Sequence, residues 1–446
     1  MKSLMLILLT TALLQARTIT VGPTGADHTT IAAGVTAASA GDVVEVAAGT
    51  YDERITISKS GTAGSLITVK AVPRRQAICK GFVLQGQYVR VEGFEVANTS
   101  LTGIQLKGSH NEAVDNYLHD LYQALGVNGS NNYAGYNRAY RCQYSIIVSG
   151  TKLLVEHNEV ERVVQIRTNS DADYCRFFGD SLTFRHNNFH GTDLAETGSA
   201  HVDCYQTFDN NGEHARDVLW EYNILSDCHQ GLMSEGKFHK NNGNYTFRNN
   251  IFQNLASFGI MGTEVFNITV VHNTFVNCGS WGVAINGASS TGYVIKNNIF
   301  FHITDDVIKI NTSAPIDYDY NLYVWYIMKT SSPGPHDVVN KWPLFVDRNS
   351  DFRLQAGSPC IDAAADLGVT DDFEGNPRQQ PDIGAYEYTG STGIRIADRS
   401  AALPVLPIPQ LYSIDGRTVT RKYTGIHLFR NGQAQTPYKM FFRIDK

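Results

Sequence analysis

The densest chemistry in this 446-residue sequence lies between residues 165 and 237. Strand alternation applied to VVQIRT, HVDCYQTF and GLMSEGKF turns Val164, Ile166, Val202, Cys204, Phe208, Leu232 and Phe238 inward. Gln165, Arg167, His201, Asp203, Tyr205, Thr207, Met233, Glu235 and Lys237 then face outward. Such a patch suits proton abstraction next to a carboxylate. Arg167, or a calcium ion held by Asp203, Glu235 and Asp209, would neutralise the anion. Lys237 would act as base, with nearby Arg167 lowering its proton affinity and Glu235 and Asp203 opposing that. His201, Tyr205 or His229 would return a proton to a leaving oxygen. Gln165, Met233 and Arg216 complete the surroundings as substrate contacts. The plain alternative for Glu235 with Lys237 is a surface ion pair, which contributes little to stability. A hydrolytic alternative pairs Asp203 with Glu235 or Asp180, provided the carboxylates stand roughly 5–10 Å apart.

These residues share a site only if their segments stack, and an asparagine refrain predicts that they do. It runs VEHNEV, FRHNNF, WEYNIL, FRNNIF, VVHNTF, IKNNIF and YDYNLY, with Asn158, Asn187, Asn223, Asn250, Asn273, Asn298 and Asn321 at the marked position. The last four intervals are 27, 23, 25 and 23 residues. Repeats of this length signal a solenoid. The units are β-branched, aromatic and alternating in polarity, so they read as strands. The fold class expected is all-β, a right-handed parallel β-helix, with coils roughly 4.8 Å apart. Asparagine suits the bends because it tolerates left-handed backbone and its amide can form a ladder. The interval from Asn187 to Asn223 is 36 residues, stretched by GTDLAETGSA and DNNGEHARD, so long loops wall the same patch.

Composition narrows the setting. A net charge of −6 with 18% charged residues offers no basic field, which excludes nucleic acid as a partner. MKSLMLILLTTALLQA, residues 1–16, reads as a secretory leader too short to span a bilayer, and no other segment is long enough. Seven cysteines without metal-ligand spacing give neither a zinc site nor a disulfide framework. The expected protein is a monomer, secreted or at the cell surface, exported through the periplasm.

Residues 17–75 resemble the N-terminal cap and first coils of secreted β-helix proteins, through the helix-like AAGVTAA and the stretch GDVVEVAAGTY. Residues 357–388 resemble the terminal module of bacterial surface β-helix proteins called choice-of-anchor Q, on SPCIDA, Gly375 to Arg378 and DIGAYEY. After a linker over 389–410 containing LPVLPIP, residues 411–446 resemble type nine secretion sorting domains through LYSIDGRTV and GIHLFRNGQ. That resemblance implies the secretion machinery as a partner. Glu235 and Lys237 followed by an asparagine-bearing strand resemble the pattern of β-helical alginate and chondroitin lyases; where those enzymes place an arginine on the next coil, this chain has FGIMGTEVF. The resemblance implies a polysaccharide lyase acting on an acidic, uronate-containing chain; calcium is the cofactor that the carboxylates of Asp203, Glu235 and Asp209 could hold. A glycoside hydrolase and a non-catalytic glycan-binding surface protein remain the alternatives.

Overall fold

The computed structural model describes residues 16–390, except 98, 169, 210, 211 and 237–240. The leader to residue 15, Lys237, the linker beyond 390 and the 411–446 module therefore lie outside the described residues. Thirty-three strands form one sheet, wound into a right-handed parallel β-solenoid of about twelve turns.

Each coil has three faces. On the first, Asp203–Phe208 pairs in parallel with Gln230–Glu235, Tyr205 opposite Leu232 and Gln206 opposite Met233. The column continues through Ile260–Thr263, Val283–Asn286 and Ile308–Asn311. This is the register the alternation predicts for the later coils, with Met261 and then Ala284 following Met233, and Thr263 and then Asn286 following Glu235. The residue that closes each refrain lies on the third face, and in the last four it is aromatic. Phe252, Phe275, Phe300 and Tyr323 stack at centroid distances of 4.4, 4.9 and 5.5 Å inside the core. Burying each such ring contributes roughly 2–3 kcal/mol.

The refrain asparagines are a buried ladder between the second and third faces. Asn187 Oδ1 accepts from Asn158 N at 3.1 Å and from its Nδ2 at 3.0 Å, while Asn187 Nδ2 donates to Val155 O at 2.9 Å. The same bonds start at Asn116 and Asn137, two coils before the first refrain. At the far end, Asn321 N donates to a carboxylate instead, Asp337 Oδ1, at 2.7 Å. The residue before each amide takes left-handed backbone: φ is 59° at Tyr136, 53° at His157 and His186, and 57° at Tyr222. That conformation is unfavourable for bulky residues. Here the corner recurs with the ladder, and the four rings stack at 4.7, 4.6 and 4.8 Å.

The first coil and the outside of the third face are covered. The helix Ile31–Ala37 packs Ile31 and Val35 on the first coil, with Thr30 capping Ala33 N and Glu53 accepting from Ile31 N and Ala32 N. Residues 345–385 lie on the outside of the third face, where Phe345, Phe352, Leu354 and Ile383 cover Ile251, Val276, Ile299 and Phe301. Arg378, whose side chain is fully buried, joins this segment to Asn249. All seven cysteines are buried free thiols.

Candidate active site

The site forms where the chain passes from the third face to the first. Two loops make this corner, 162–172 and 191–202. Buried Gln143 holds the first, accepting from Ile166 N and Arg167 N and donating to Asp171 O at 2.8 Å. Glu196, on the short helix Leu194–Thr197, holds the second by binding Arg162 Nε at 2.6 Å and Arg141. The insertion is thus tied down by ion pairs to neighbouring coils.

Two carboxyls lie at the centre, Asp173 and Asp203 on successive coils, neither exposed to solvent. Asp203 N donates to Asp173 Oδ1 at 3.0 Å. Arg176 reaches Asp173 at 2.6 Å and Asp171 at 2.7 Å, and its guanidinium lies over the rings of Tyr144 and Phe208. His201 Nδ1 is 2.9 Å from Asp203 Oδ2, which also accepts from Gln206 Nε2 at 3.0 Å. His229, one coil on, meets His201 edge to face at 6.5 Å.

These surroundings separate the proton affinities of two half-exposed imidazoles. The Asp203 carboxylate against Nδ1 lifts His201 to about 9, outweighing its burial. His229 is pushed below its ordinary value by burial and then by the neighbouring His201 cation. Burial, reinforced by Asp203, raises Asp173 to about 7, and burial raises Asp203 as well. Near neutral pH the corner therefore presents a protonated His201 beside an unprotonated His229. Divergent pairs of this kind divide acid and base work.

The expected residues separate into those the corner gathers and those it does not. His201, Asp203 and His229 meet there, with Met233 on the adjacent outward column after Gln206. Gln165 braces the first loop through Ser170 O. Arg167 is not on an equivalent strand; it belongs to that loop and stacks over Tyr122 at 3.7 Å. The residue equivalent to Gln206 one coil earlier is Arg176, which the alternation did not single out. Tyr205 corrects the outward assignment: it is 1% exposed and packs among Phe177, Phe184, Phe189 and Trp220. Thr207 also points in, opposite buried Ser234. The physical reason is a bend at which two successive residues, Cys204 and Tyr205, both enter the core, shifting the alternation by one.

The proposed calcium ligands do not converge. Asp203 opens its strand and Asp209 follows its last residue, about 20 Å apart along extended backbone. Glu235 pairs with Phe208 at the far end, beside Asp209, whose N donates to Glu235 O. Those residues do not fit a single ion. Among the described residues, Glu159, Glu161 and His190 have ligand atoms within 4.8 Å of one another, though Arg138 already lies 2.7 Å from Glu161 and 3.4 Å from Glu159. Arg216 is on the second face, bonded to Asn241 and lying over Phe266. Asp180, bound by His214, sits on the same face opposite Arg216.

No family model and no curated protein matches the sequence. Solved structures with a similar backbone include the pectate lyase Pel9A, at 19% identity over 83% of this chain and 96% of that one, with a TM-score of 0.48. The PL6 family polysaccharide lyase Pedsa3628 from Pseudopedobacter saltans aligns at 13% identity over 72% of this chain and 91% of that one, also with a TM-score of 0.48. An alginate lyase from Paenibacillus sp. str. FPU-7 gives 13% identity, 68% and 97% coverage and a TM-score of 0.44.

Proposed function

We propose that this protein cleaves a uronate-containing polysaccharide by β-elimination at the corner formed by His201, His229, Asp203 and Arg176. The observation that carries the reading is the pair of adjacent imidazoles with opposite protonation, His201 raised to about 9 and His229 lowered. Elimination needs a base for the proton beside the uronate carboxylate and an acid for the departing glycosidic oxygen. Unprotonated His229 takes the first proton and later releases it to solvent, and protonated His201 supplies the second and is reprotonated from solvent through its exposed edge, its cation held by the Asp203 carboxylate. Arg176, held by two aspartates over two aromatic rings, orients the substrate carboxylate.

Hydrolysis is the weaker reading, because Asp203 has no exposed surface to meet a glycosidic oxygen. Lys237 remains the competing base. Export through the leader, and sorting through residues 411–446, belong to the same proposal, with 17–388 as the β-helical unit.

The test is a screen over alginate, pectate and glycosaminoglycans, followed by near-ultraviolet absorbance. Elimination creates an absorbing double bond. Reducing ends appearing without that absorbance would replace elimination with hydrolysis, and binding without either product would make the protein a glycan-binding surface protein. Comparing His229→Ala with Lys237→Ala then identifies the base.

A further inference from the structure

One edge of the first face runs past the imidazoles in both directions along the axis, with Gln143, Ala172 and Val202 turned inward between its ends. In hydrogen-bonded order, the coils place Tyr122, Gln143, Ala172, Val202, His229, Ser257 and Ser280 level with one another, and Trp281 follows Ser280. Tyr122 is thus four coils before His229 and Trp281 two coils after it, an extent of about 29 Å at the spacing of paired strands.

Each end of this edge carries a cation over a ring. The Arg167 guanidinium lies 3.7 Å from the Tyr122 centroid and the Lys309 ammonium 3.7 Å from that of Trp281. Among the described residues, neither cation has a carboxylate partner. The nearby acids are committed elsewhere. Asp120 is held by Arg141 and His119; Asp305 is held by Lys329; Asp306 accepts from the Thr330 hydroxyl and from Lys329 N. Arg167 also borders a cleft of about 440 Å³ lined by Thr99, Ser100, His119 and exposed Ile166. In a chain with a net charge of −6, two acid-free cations on one edge, each backed by an aromatic face, select for anions. A cation held on a ring, without an acid of its own, suits the carboxylate of a uronate.

We propose that Arg167 on Tyr122 and Lys309 on Trp281 are end subsites for one polyuronate chain laid along the solenoid axis across the His201–His229 corner. The inference rests on the acidic-polysaccharide reading above and adds the direction, extent and end contacts of the bound chain. It makes Arg167 a substrate-holding residue at a distance from the proton transfers. It also requires affinity to grow with chain length until an oligomer reaches both ends.

The experiment uses the full chain carrying His229→Ala to prevent turnover, with calorimetric titration of a size series of oligouronates and a neutral polymer as control. Arg167→Ala, Lys309→Met and Trp281→Ala are each expected to weaken the longest oligomer by about tenfold while leaving a trisaccharide unchanged. Lys309→Met preserves packing over the indole, so its effect reports charge. Long-oligomer affinity unaffected by all three variants, or equal affinity for the neutral polymer, would overturn the subsites. If those results accompany turnover by the unmodified protein, the lyase reading stands alone. Length- and charge-dependent binding lost in the variants, with no turnover by the unmodified protein, would keep the subsites and remove the lyase reading.

Discussion

Replacing Asp203 with asparagine tests the acid assignment directly. The side chain keeps its volume in a fully buried position, and His201 loses the carboxylate that raises it from 6.5 to about 9. At 1.36 kcal/mol per pH unit, the whole displacement is worth about 3 kcal/mol. The His201 side chain is 36% exposed, so solvent screening reduces the recoverable part to about half. Asp173 and Asp171 also support the cation and remain in place. The alkaline limb of kcat/KM is therefore expected near 9 in the unmodified protein and about one pH unit lower in Asp203→Asn. Stability follows the same sign. A histidine whose proton affinity rises on folding contributes fully below 6.5, and that contribution disappears as pH rises through about 9. Asp203→Asn should thus lose most stability near neutral pH, where Asp203 is ionised and His201 charged, and less toward acid, where the buried Asp203 carboxyl takes up a proton, and above 9, where His201 is neutral. The assay is initial-rate absorbance from pH 5 to 10, with denaturation midpoints at the same pH values. An alkaline limb that stays where it is would refute His201 as the acid.

His229→Ala is expected to lower kcat by about 10²–10³-fold, and Lys237→Ala to leave most activity; single-turnover rates showing the reverse would transfer the base to Lys237. Tyr205→Phe should leave kcat and its pH profile unchanged, because the hydroxyl is enclosed by core aromatics; a tenfold loss in steady-state rate would place that hydroxyl in the reaction. Asn223→Ala removes the acceptor for Asn187 N and Nδ2 and the donor to Phe184 O, costing about 3–5 kcal/mol; a chemical denaturation midpoint within error of the unmodified protein would contradict the ladder's role.

The solenoid was legible because its asparagines are structural and its strands alternate. The first two ladder members escaped the refrain because GYNRAY surrounds Asn137 with small or polar residues, which breaks the series and leaves VDNYLH around Asn116 standing apart from it. At the site, His201 and Asp203 could be read from one segment. Arg176 could not, since its outward position depends on the bend where Tyr174 and Cys175 both turn into the core. The signal available was DYCRFFGD, an arginine within an otherwise buried run. Tyr205 was assigned to the wrong side for the same reason, and the calcium set failed because residues on one outward face can still stand a whole strand apart.

The amide ladder has a polarity that bears on how long such a molecule can be. From amide to amide, every asparagine passes hydrogens toward one pole and receives them from the other, while its remaining amide hydrogen turns back to a backbone carbonyl, so a stack built only of amides would always present a hungry donor to the next copy. Asp337 at the Asn321 end has no hydrogen to pass on when ionised, and it acts as a terminator. Extra windings duplicated from residues 273–297 should therefore be accepted upstream of it, whereas the same insertion downstream would leave the growing stack without its stop.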